Sequence, residues 1–395
     1  MRSLLVTKLV PSPADSGGKL RSRAVAELLA GLGEVDLVAF DDGGSDRKAL
    51  EEGGIAVHAV PRPASRAGAV RGLAALGSLS GARFWSPELA ASIARLTAQR
   101  SYDVVQVEYA TLAPYARYAR GGGVRVLDLH NVESALMASR ARRASPPLRA
   151  VLHAESRALA RVERRALEAF DVVLTVSDAE SGRLPGGRRA LTCPNGWWPD
   201  ACLPPAVEPT VVFVGLLGWG PNRDAALWLG REIWPEVERR VPGARLLIVG
   251  RDPDDAVRAL AAGSIEVVAS PRDVRPLLAR GAVAVAPLRA GGGSRLKILE
   301  ALDAGRPVVA TPLGAEGLEP LVGRGIFLAE TAHDLAGTIA ELLLSYDRGR
   351  RAGLDGHVGV ADAFSWERTL APLRLELERR LSPTASVRTA VGAAA

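Results

Sequence analysis

The sequence predicts an α/β protein made of two doubly wound, Rossmann-like domains in tandem. Short apolar runs rich in β-branched residues alternate with amphipathic stretches, which indicates parallel sheets covered on both faces. A proline-rich segment without periodicity separates two such sets of strands. With 395 residues, of which 48% are apolar, the chain is long enough to bury two cores.

In the first half, six runs are predicted strands: SLLVTKLV, EVDLVAF, GIAVHAV, YDVVQVEY, VRVLDLH and DVVLTVS. After the first of them, apolar residues recur at helical spacing, at Leu20, Ala24, Val25, Leu28, Leu29 and Leu32. An arginine-rich helical pattern from 139 to 170 predicts one long helix on this sheet. Its charged face is either simply solvated or contacts a membrane or an acceptor molecule.

The second half repeats the pattern with TVVFVGLL, ARLLIVG, SIEVVA, AVAVAPL and RPVVATP. Helical spacing returns at Ala226, Leu229, Ile233 and Val237. We therefore predict a first domain over residues 1–192, a hinge linker over 193–207 and a second domain over 208–365. An amphipathic segment over 366–382 follows, and a tail over 383–395, poor in large apolar residues, is predicted to be disordered.

Composition narrows the class of protein. The net charge of +6 is mild and fits an anionic ligand or an acidic membrane surface. Aromatic residues make up 5%, and no zinc-finger pattern occurs, so a nucleic-acid partner is not expected. Two cysteines are too few for a structural zinc site or a disulfide scaffold and indicate a reducing cytoplasm. No apolar run reaches eighteen residues, so any membrane contact would be peripheral, at the inner surface.

The stretch AGGGSRLKILE places a glycine loop between a strand and a helix. Ser294 suits the N-cap of that helix, whose first amides have no internal partners and attract an anion. Arg295 and Lys297 add positive charge, so the arrangement suits two adjacent phosphates. The candidate diphosphate-binding residues are Gly291, Gly292, Gly293, Ser294, Arg295 and Lys297.

Glu300 lies further along the same predicted helix. An ionised carboxylate only accepts hydrogen bonds, so it would repel phosphate but could receive the two hydroxyls of a ribose. Diphosphate and ribose together indicate a nucleotide. The alternative is that the glycines form a flexible turn, and that Lys297 and Glu300 form a surface ion pair.

A second candidate site lies in the first domain. Gly17 and Gly18 open a helix behind Ser16, without the Gly-x-Gly-x-x-Gly pattern of a dehydrogenase, and could equally begin a capped surface helix. His130 ends one predicted strand, where parallel sheets bind ligands, although a lone histidine is more often structural. The topology also makes Glu108 and Tyr109, at the end of another strand, candidate acceptor-binding residues.

The segment RLKILEALDAGRPVVATPLGAEGL resembles the donor-site signature of glycosyltransferase family 4. CPNGWW is similar to the family's hinge segment, FVGLLGWGPNRDAALWL resembles the start of its second domain, and DLHN and DVVLTVSDAE match segments of its first domain. The resemblance extends over residues 2–370. It implies the GT-B fold, with two Rossmann-like domains facing a central cleft and the 366–382 segment crossing back to the first domain.

The resemblance further implies transfer of a sugar, with retention of anomeric configuration, from a nucleoside-diphosphate-sugar to a glycan, a lipid-linked sugar or a small natural product. No metal is expected, because fixed cations would stabilise the leaving diphosphate. Glu300 would hold the ribose, and the segment ASPRDVRP would border the base. The implied catalytic residues are His130, Lys297 and Arg295. Beyond the diphosphate residues and Glu300, the implied donor-binding residues are Gly17, Gly18, Gly215 and Arg251.

The sequence departs from the family pattern at two places. Many members carry two glutamates eight positions apart, and Gly292 stands where the first would be. The usual basic pair after the first strand of the second domain is not in place, where only Arg223 occurs, and Arg251 could substitute. Two alternatives therefore stay open: a nucleotide-sugar epimerase of the same fold, and a non-catalytic protein that binds nucleotide sugars.

Overall fold

The computed structural model describes residues 1–62, 69–142, 144–187, 190–290 and 296–382. The chain forms two compact units, of which the first contains the described residues of 1–194 and 369–382. The second contains the described residues between 195 and 368. No helix in the described part of the chain is long and apolar enough to cross a membrane.

The first unit contains a parallel sheet of seven strands in the order β3-β2-β1-β4-β5-β6-β7. The strands are β1 (Arg2–Leu9), β2 (Glu34–Asp41), β3 (Ile55–Pro61), β4 (Val104–Glu108), β5 (Val124–Leu129), β6 (Val172–Thr175) and β7 (Leu191–Thr192). The interior strands β4 and β6 are buried along their whole length, as expected where helices cover both sides of the sheet.

The helices of this unit are α1 (Gly17–Leu32), α2 (Arg47–Glu51), α3 (Ala69–Leu76), α4 (Leu79–Ala82), α5 (Pro87–Gln99), a 3₁₀ segment (Ala110–Tyr118), α6 (Glu133–Arg142), α7 (Pro146–Ala169) and α8 (Asp178–Gly182). Helix α1 buries the predicted apolar face, including Ala24, Val25 and Leu29. The start of α5 follows the sequence rules for a helix N-terminus, with Ser86 accepting a hydrogen bond from the Leu89 amide and Pro87 in the first turn.

The second unit has a six-stranded parallel sheet in the order β10-β9-β8-β11-β12-β13. Its strands are β8 (Thr210–Val214), β9 (Arg245–Gly250), β10 (Ile265–Ala269), β11 (Val283–Ala286), β12 (Val308–Ala310) and β13 (Ile326–Leu328). Its helices are α9 (Gly220–Trp228), a π segment (Leu229–Ile233), α10 (Trp234–Arg240), α11 (Asp255–Arg258), α12 (Arg275–Arg280), α13 (Leu296–Asp303), a 3₁₀ segment (Glu319–Leu321), α14 (Ala332–Leu344) and α15 (Tyr346–Phe364).

The chain ends with α16 (Trp366–Thr369) and α17 (Ala371–Leu381). Helix α17 belongs to the first unit, where Leu373 and Leu377 are fully buried and Arg380 donates a hydrogen bond to the carbonyl of Asp171. The tail over 383–395 lies outside the described residues.

All eleven predicted strands are present, whereas β7 and β13 were missed because two- and three-residue strands carry too little pattern. The prediction of one long helix over 139–170 was wrong. The chain instead breaks between α6 and α7 at Ser145, whose ψ is 154°, because residues preceding proline avoid the helical region. The unit boundary falls between Pro194 and Asn195, so most of the predicted linker, 195–207, belongs to the second unit.

Strand order fixes where each unit can bind a ligand. In the first sheet the order reverses between β1 and β4, and in the second between β8 and β11. Doubly wound sheets bind ligands at these reversal points, beyond the carboxyl ends of the strands. The residues that follow β4 and β8 are therefore expected to contribute to functional sites.

Candidate active site

In the second unit, Lys297 on α13 lies beside the carboxyl end of β8. Its Nζ donates a hydrogen bond to Oδ1 of Asn222 on α9 over 2.5 Å, and lies 4.9 Å from the ring centroid of Phe213. Asn222 is buried and donates from Nδ2 to the carbonyl of Leu216 over 3.1 Å. These two bonds fix the amide, and the amide in turn holds the ammonium group at the reversal point of the sheet. We call Lys297, Asn222, Gly215 and Glu300 the Lys297 cluster.

Gly215 gives this cluster its space. A Cβ atom added at this position would lie 2.9 Å from the Asn222 side-chain amide and 3.0 Å from Nζ of Lys297. The neighbouring Gly250 is needed for a similar reason, because a Cβ there would lie 1.6 Å from the carbonyl oxygen of Gly215. The backbones at Gly215 and Gly250 thus lie in close contact at the place where a ligand would enter.

Glu300 lies one helical turn beyond Lys297 and is partly buried. Burial, together with the nearby charge of Asp273, raises the pKa of Glu300 to about 7, although the charge of Arg275 acts in the opposite direction. The carboxyl group is therefore near the midpoint of its titration at neutral pH. Asp273 and Arg275 belong to the segment that the sequence predicted to border the base.

The arginines near the Lys297 cluster have different hydrogen-bond and ion-pair partners. Arg223 pairs with Asp254, and Arg289 forms two bonds to the carboxylate of Asp224, at 2.8 and 3.1 Å. Arg251 follows β9, and its carbonyl accepts the amide of Leu217 over 2.8 Å, which ties it to the loop after β8. Arg223 and Arg289 therefore each face a carboxylate.

The glycine loop itself lies outside the described residues. The predicted residues there are Gly291, Gly292, Gly293, Ser294 and Arg295, and their placement stays a prediction. The chain enters this gap from the end of β11 and leaves it at the start of α13. Both flanks are at the reversal point of the sheet.

In the first unit, Gly18 at the start of α1 lies against Tyr109. A Cβ atom at Gly18 would lie 2.2 Å from the Tyr109 hydroxyl oxygen, and 3.9 Å from Nδ1 of His130. Tyr109 has φ of 72°, a rare backbone conformation for a bulky residue, and its ring centroid lies 3.9 Å from that of His130. Strain of this kind concentrates at functional sites. Gly17 precedes Gly18 as the first residue of α1.

Lys8, near the end of β1, lies on the other side of Tyr109. Its Nζ is 3.8 Å from the centroid of the Tyr109 ring and 3.7 Å from a carboxylate oxygen of Glu133. Burial lowers the pKa of the Lys8 ammonium. This residue was not predicted from the sequence, although a lysine inside an apolar strand was a visible signal.

A buried network of polar side chains lies beside His130. Nε of Arg21 contacts both oxygens of Asp128, at 2.9 and 3.0 Å, and Arg21 Nη1 donates to the carbonyl of Cys193 over 2.9 Å. Ser22 donates a hydrogen bond to Glu108, whose Oε2 lies 3.5 Å from Nε2 of His130. We call His130, Glu108, Tyr109, Asp128 and Arg21 the His130 cluster.

Burial sets the protonation of this network. It lowers the pKa of His130 to about 3 and raises the pKa of Glu108 to about 7. His130 is therefore a neutral imidazole at physiological pH. Oε1 of Glu108 and Nε2 of His130 are buried and have no hydrogen-bond partner among the described residues.

Glu108, Asp128 and His130 each offer a ligand atom, and these atoms lie within 4.8 Å of one another. The Asp128 carboxylate is already paired with the fully buried guanidinium of Arg21. That fixed cation would repel a divalent ion at the same place, so the donor set fits a hydrogen-bond network better than a metal site. Arg21 and Asp128 were not predicted, although Asp128 in β5 stands only two residues before His130.

Comparisons with known proteins agree with this architecture. Residues 16–195 match the family described as glycosyl transferase 4-like domain, and residues 208–345 match glycosyl transferases group 1. No curated protein sequence matches the chain.

Solved structures show the same fold. Sucrose-phosphate synthase from Thermosynechococcus elongatus aligns with a TM-score of 0.69 at 18% identity, covering 96% of this chain and 99% of that one. HepE from Anabaena, in complex with UDP and glucose, gives 0.68 at 15%, with 96% and 100% covered. A glycosyltransferase from Rickettsia africae gives 0.67 at 15%, with 97% and 99% covered.

The two parallel-sheet units thus define a GT-B protein. The chain belongs to the family 4-like glycosyltransferases, as its own sequence signature indicated. It is accordingly a glycosyltransferase.

Proposed function

We propose that the protein transfers a sugar from a nucleoside-diphosphate-sugar to an acceptor, with the donor held by the second unit. The observation that carries this proposal is the Lys297–Asn222 hydrogen bond at the reversal point of the sheet, one helical turn before Glu300. An oriented ammonium suits a diphosphate, and a carboxylate at this distance along the helix suits the ribose hydroxyls.

Negative charge develops on the leaving diphosphate as the bond between sugar and oxygen breaks. In this proposal Lys297, with Arg295 and the loop amides, stabilises that charge more in the transition state than in the ground state. Fixed cations in this role make a metal ion unnecessary, so turnover should persist in excess EDTA. Loss of turnover that Mg²⁺ restores would refute metal independence.

In the first unit, the family resemblance and the neutral His130 support a role near the transferred sugar. A neutral imidazole can accept or donate a hydrogen bond to a sugar hydroxyl without carrying charge. Tyr109, which is partly exposed, would contact the acceptor, whereas Glu108 is fully buried and would act through His130. Retention of configuration follows from the family resemblance, and NMR of the first-formed product would test it.

The donor base can be found by thermal stability. Ligands that bind only the folded protein raise its melting temperature, so UDP, GDP, ADP and dTDP should be compared at one concentration. UDP is the first choice, because the structure of HepE contains it. The nucleoside diphosphate that raises the melting temperature most then identifies the nucleotide of the sugar donors to be tested for turnover. Incubation without acceptor separates the epimerase alternative, since only an epimerase converts the donor sugar into an isomer.

We also propose that α7 contacts an anionic membrane surface. Leu148 and Val151, in its first two turns, are 52% and 53% exposed, and the same helix carries the exposed Arg149, Arg157 and Arg161. Exposed apolar side chains beside arginines are typical of interfacial helices. Co-sedimentation with anionic but not neutral vesicles, lost on changing Leu148 and Val151 to aspartate, would support this; equal binding by the variant would refute it.

A further inference from the structure

A cavity of about 290 Å³ lies in the second unit, at the sheet edge opposite to the Lys297 cluster. Pro209, Ala282 and Pro307 line it, and each immediately precedes a strand, so the cavity sits at the amino-terminal ends of β8, β11 and β12. The first turns of α15 form another wall. Its size is close to the lower end of ligand pockets, about 300–1,000 Å³, which fits a small molecule.

Arg306, which lines the cavity, is a buried cation. It is 2% exposed, and its guanidinium donates from Nε to the carbonyl of Leu278 over 3.0 Å and from Nη2 to the carbonyl of Pro204 over 2.6 Å. These partners are neutral, and no carboxylate forms an ion pair with Arg306 in the part of the chain that the structure describes. A buried cation without a counter-charge is costly, so an anion arriving here would be strongly favoured.

Part of the Arg306 guanidinium makes no hydrogen bond to the described residues. Its Nε and Nη2 groups make the hydrogen bonds to carbonyls, and within the described ranges Nη1 makes none. An arginine fork with free N–H groups matches the oxygens of a phosphate or a carboxylate.

The other residues that line the cavity are of two kinds, charged and apolar. Arg350 on α15 adds a second, exposed guanidinium, and the apolar surface comes from prolines, Leu342 and Tyr346. Glu208 also lines the cavity, but it is exposed to water and interacts with Arg280. The cavity is therefore both cationic and apolar.

We infer that this cavity binds a small organic anion, with a phosphate or carboxylate group directed at Arg306 and an apolar or ring portion against the prolines and Tyr346. The site is separate from the proposed donor site, because it lies at the opposite ends of the strands. Binding of this kind would allow a small metabolite to act on the second unit without competing with the donor.

Cys202 gives a local readout, because it lines the cavity and is partly exposed, whereas Cys193, the other cysteine of the chain, is fully buried. The experiment measures the rate at which N-ethylmaleimide modifies Cys202 in the whole protein, by mass spectrometry. Phenyl phosphate and benzoate are the probes, with sodium chloride at matched ionic strength as the control. We expect at least one probe to slow modification several-fold, and the pair to show whether phosphate or carboxylate is preferred.

Two matched variants test whether charge recognition is responsible. Arg350→Ala should raise the probe concentration needed for protection by about three- to tenfold, as expected for one lost charge contact. Arg351→Ala removes another exposed arginine of the same helix, one that does not line the cavity, and should leave protection unchanged. Arg306→Lys, which keeps the charge but loses the fork, should abolish protection.

The inference is overturned if neither probe protects Cys202 at about 10 mM, well above the weak affinities that small ligands show. It is also overturned if Arg350→Ala and Arg351→Ala behave alike, or if Lys297→Ala removes the protection, since that would place the effect at the other edge of the sheet. Should Arg306→Lys fail to fold, the comparison of Arg350→Ala with Arg351→Ala decides the question alone.

Discussion

Lys297 and Asn222, which are on different helices, meet across the carboxyl end of β8 through a hydrogen bond of 2.5 Å. The bond orients the only residue of the predicted diphosphate set that falls within the described ranges. Asn222 therefore acts through Lys297 as a positioning residue.

Asn222→Ala should lower kcat about tenfold, because a mispositioned cation loses part of its transition-state contact. Asn222→Asp should weaken nucleotide binding more than Asn222→Ala does, since it adds a negative charge beside the diphosphate. Calorimetry with the preferred nucleotide, and turnover assays on folded variants, measure both effects. Equal nucleotide affinities for the two variants would contradict the placement of the diphosphate at Lys297.

Glu300 predicts a pH dependence of nucleotide binding. Its raised pKa of about 7 means that the carboxyl group is protonated below neutral pH and becomes a full acceptor above it. If the carboxylate receives the ribose hydroxyls, affinity should rise as pH increases from about 6 to 8, and Glu300→Gln should remove most of that rise. A Glu300→Gln variant with an unchanged pH profile would exclude this contact.

Gly18→Ala should impair the first unit through one atom pair. The added Cβ would lie 2.2 Å from the Tyr109 hydroxyl oxygen but 3.5 Å from the ring carbon that carries it. Tyr109→Phe removes that oxygen, so the double variant Gly18→Ala/Tyr109→Phe should recover the melting temperature that Gly18→Ala loses. No recovery in the double variant would show that the loss of stability in Gly18→Ala does not come from a clash with the Tyr109 hydroxyl.

The buried pair Glu108 and His130 predicts two opposing pH effects on folding stability. The folded pKa of Glu108 is raised to about 7, so the folded state retains a proton that the unfolded state has lost, and stability falls as pH rises between about 4.5 and 7. The folded pKa of His130 is lowered to about 3, so its stabilising effect is lost as pH falls below about 6.5.

These effects partly cancel in the wild type between about pH 4.5 and 6.5, and single variants should separate them. Glu108→Gln should make stability rise more steeply with pH than in the wild type, by up to about 1.4 kcal/mol per pH unit. His130→Gln should change the slope in the opposite direction. Urea denaturation across this pH range measures the stability of both variants. Equal slopes of stability against pH in the two variants would contradict the proposed protonation states.

The sequence predicted the sheets and the local part of the site for a physical reason. Periodicity and loop chemistry are short-range signals, so eleven strands and the spacing of Lys297 and Glu300 could be read directly. Asn222 and Arg21 could not, because each acts on a partner far along the chain, Lys297 in one case and Asp128 in the other. Their roles depend on which strands are neighbours, and a single sequence does not state that order.

Direct calorimetric titration of the intact protein with UDP, GDP, ADP and dTDP tests the central claim, that Lys297 helps to hold a nucleoside diphosphate. We predict that at least one of the four binds the wild type, and that Lys297→Ala weakens that binding at least about tenfold without unfolding the protein. Failure of all four to bind, or equal binding by the folded Lys297→Ala variant, would contradict the claim.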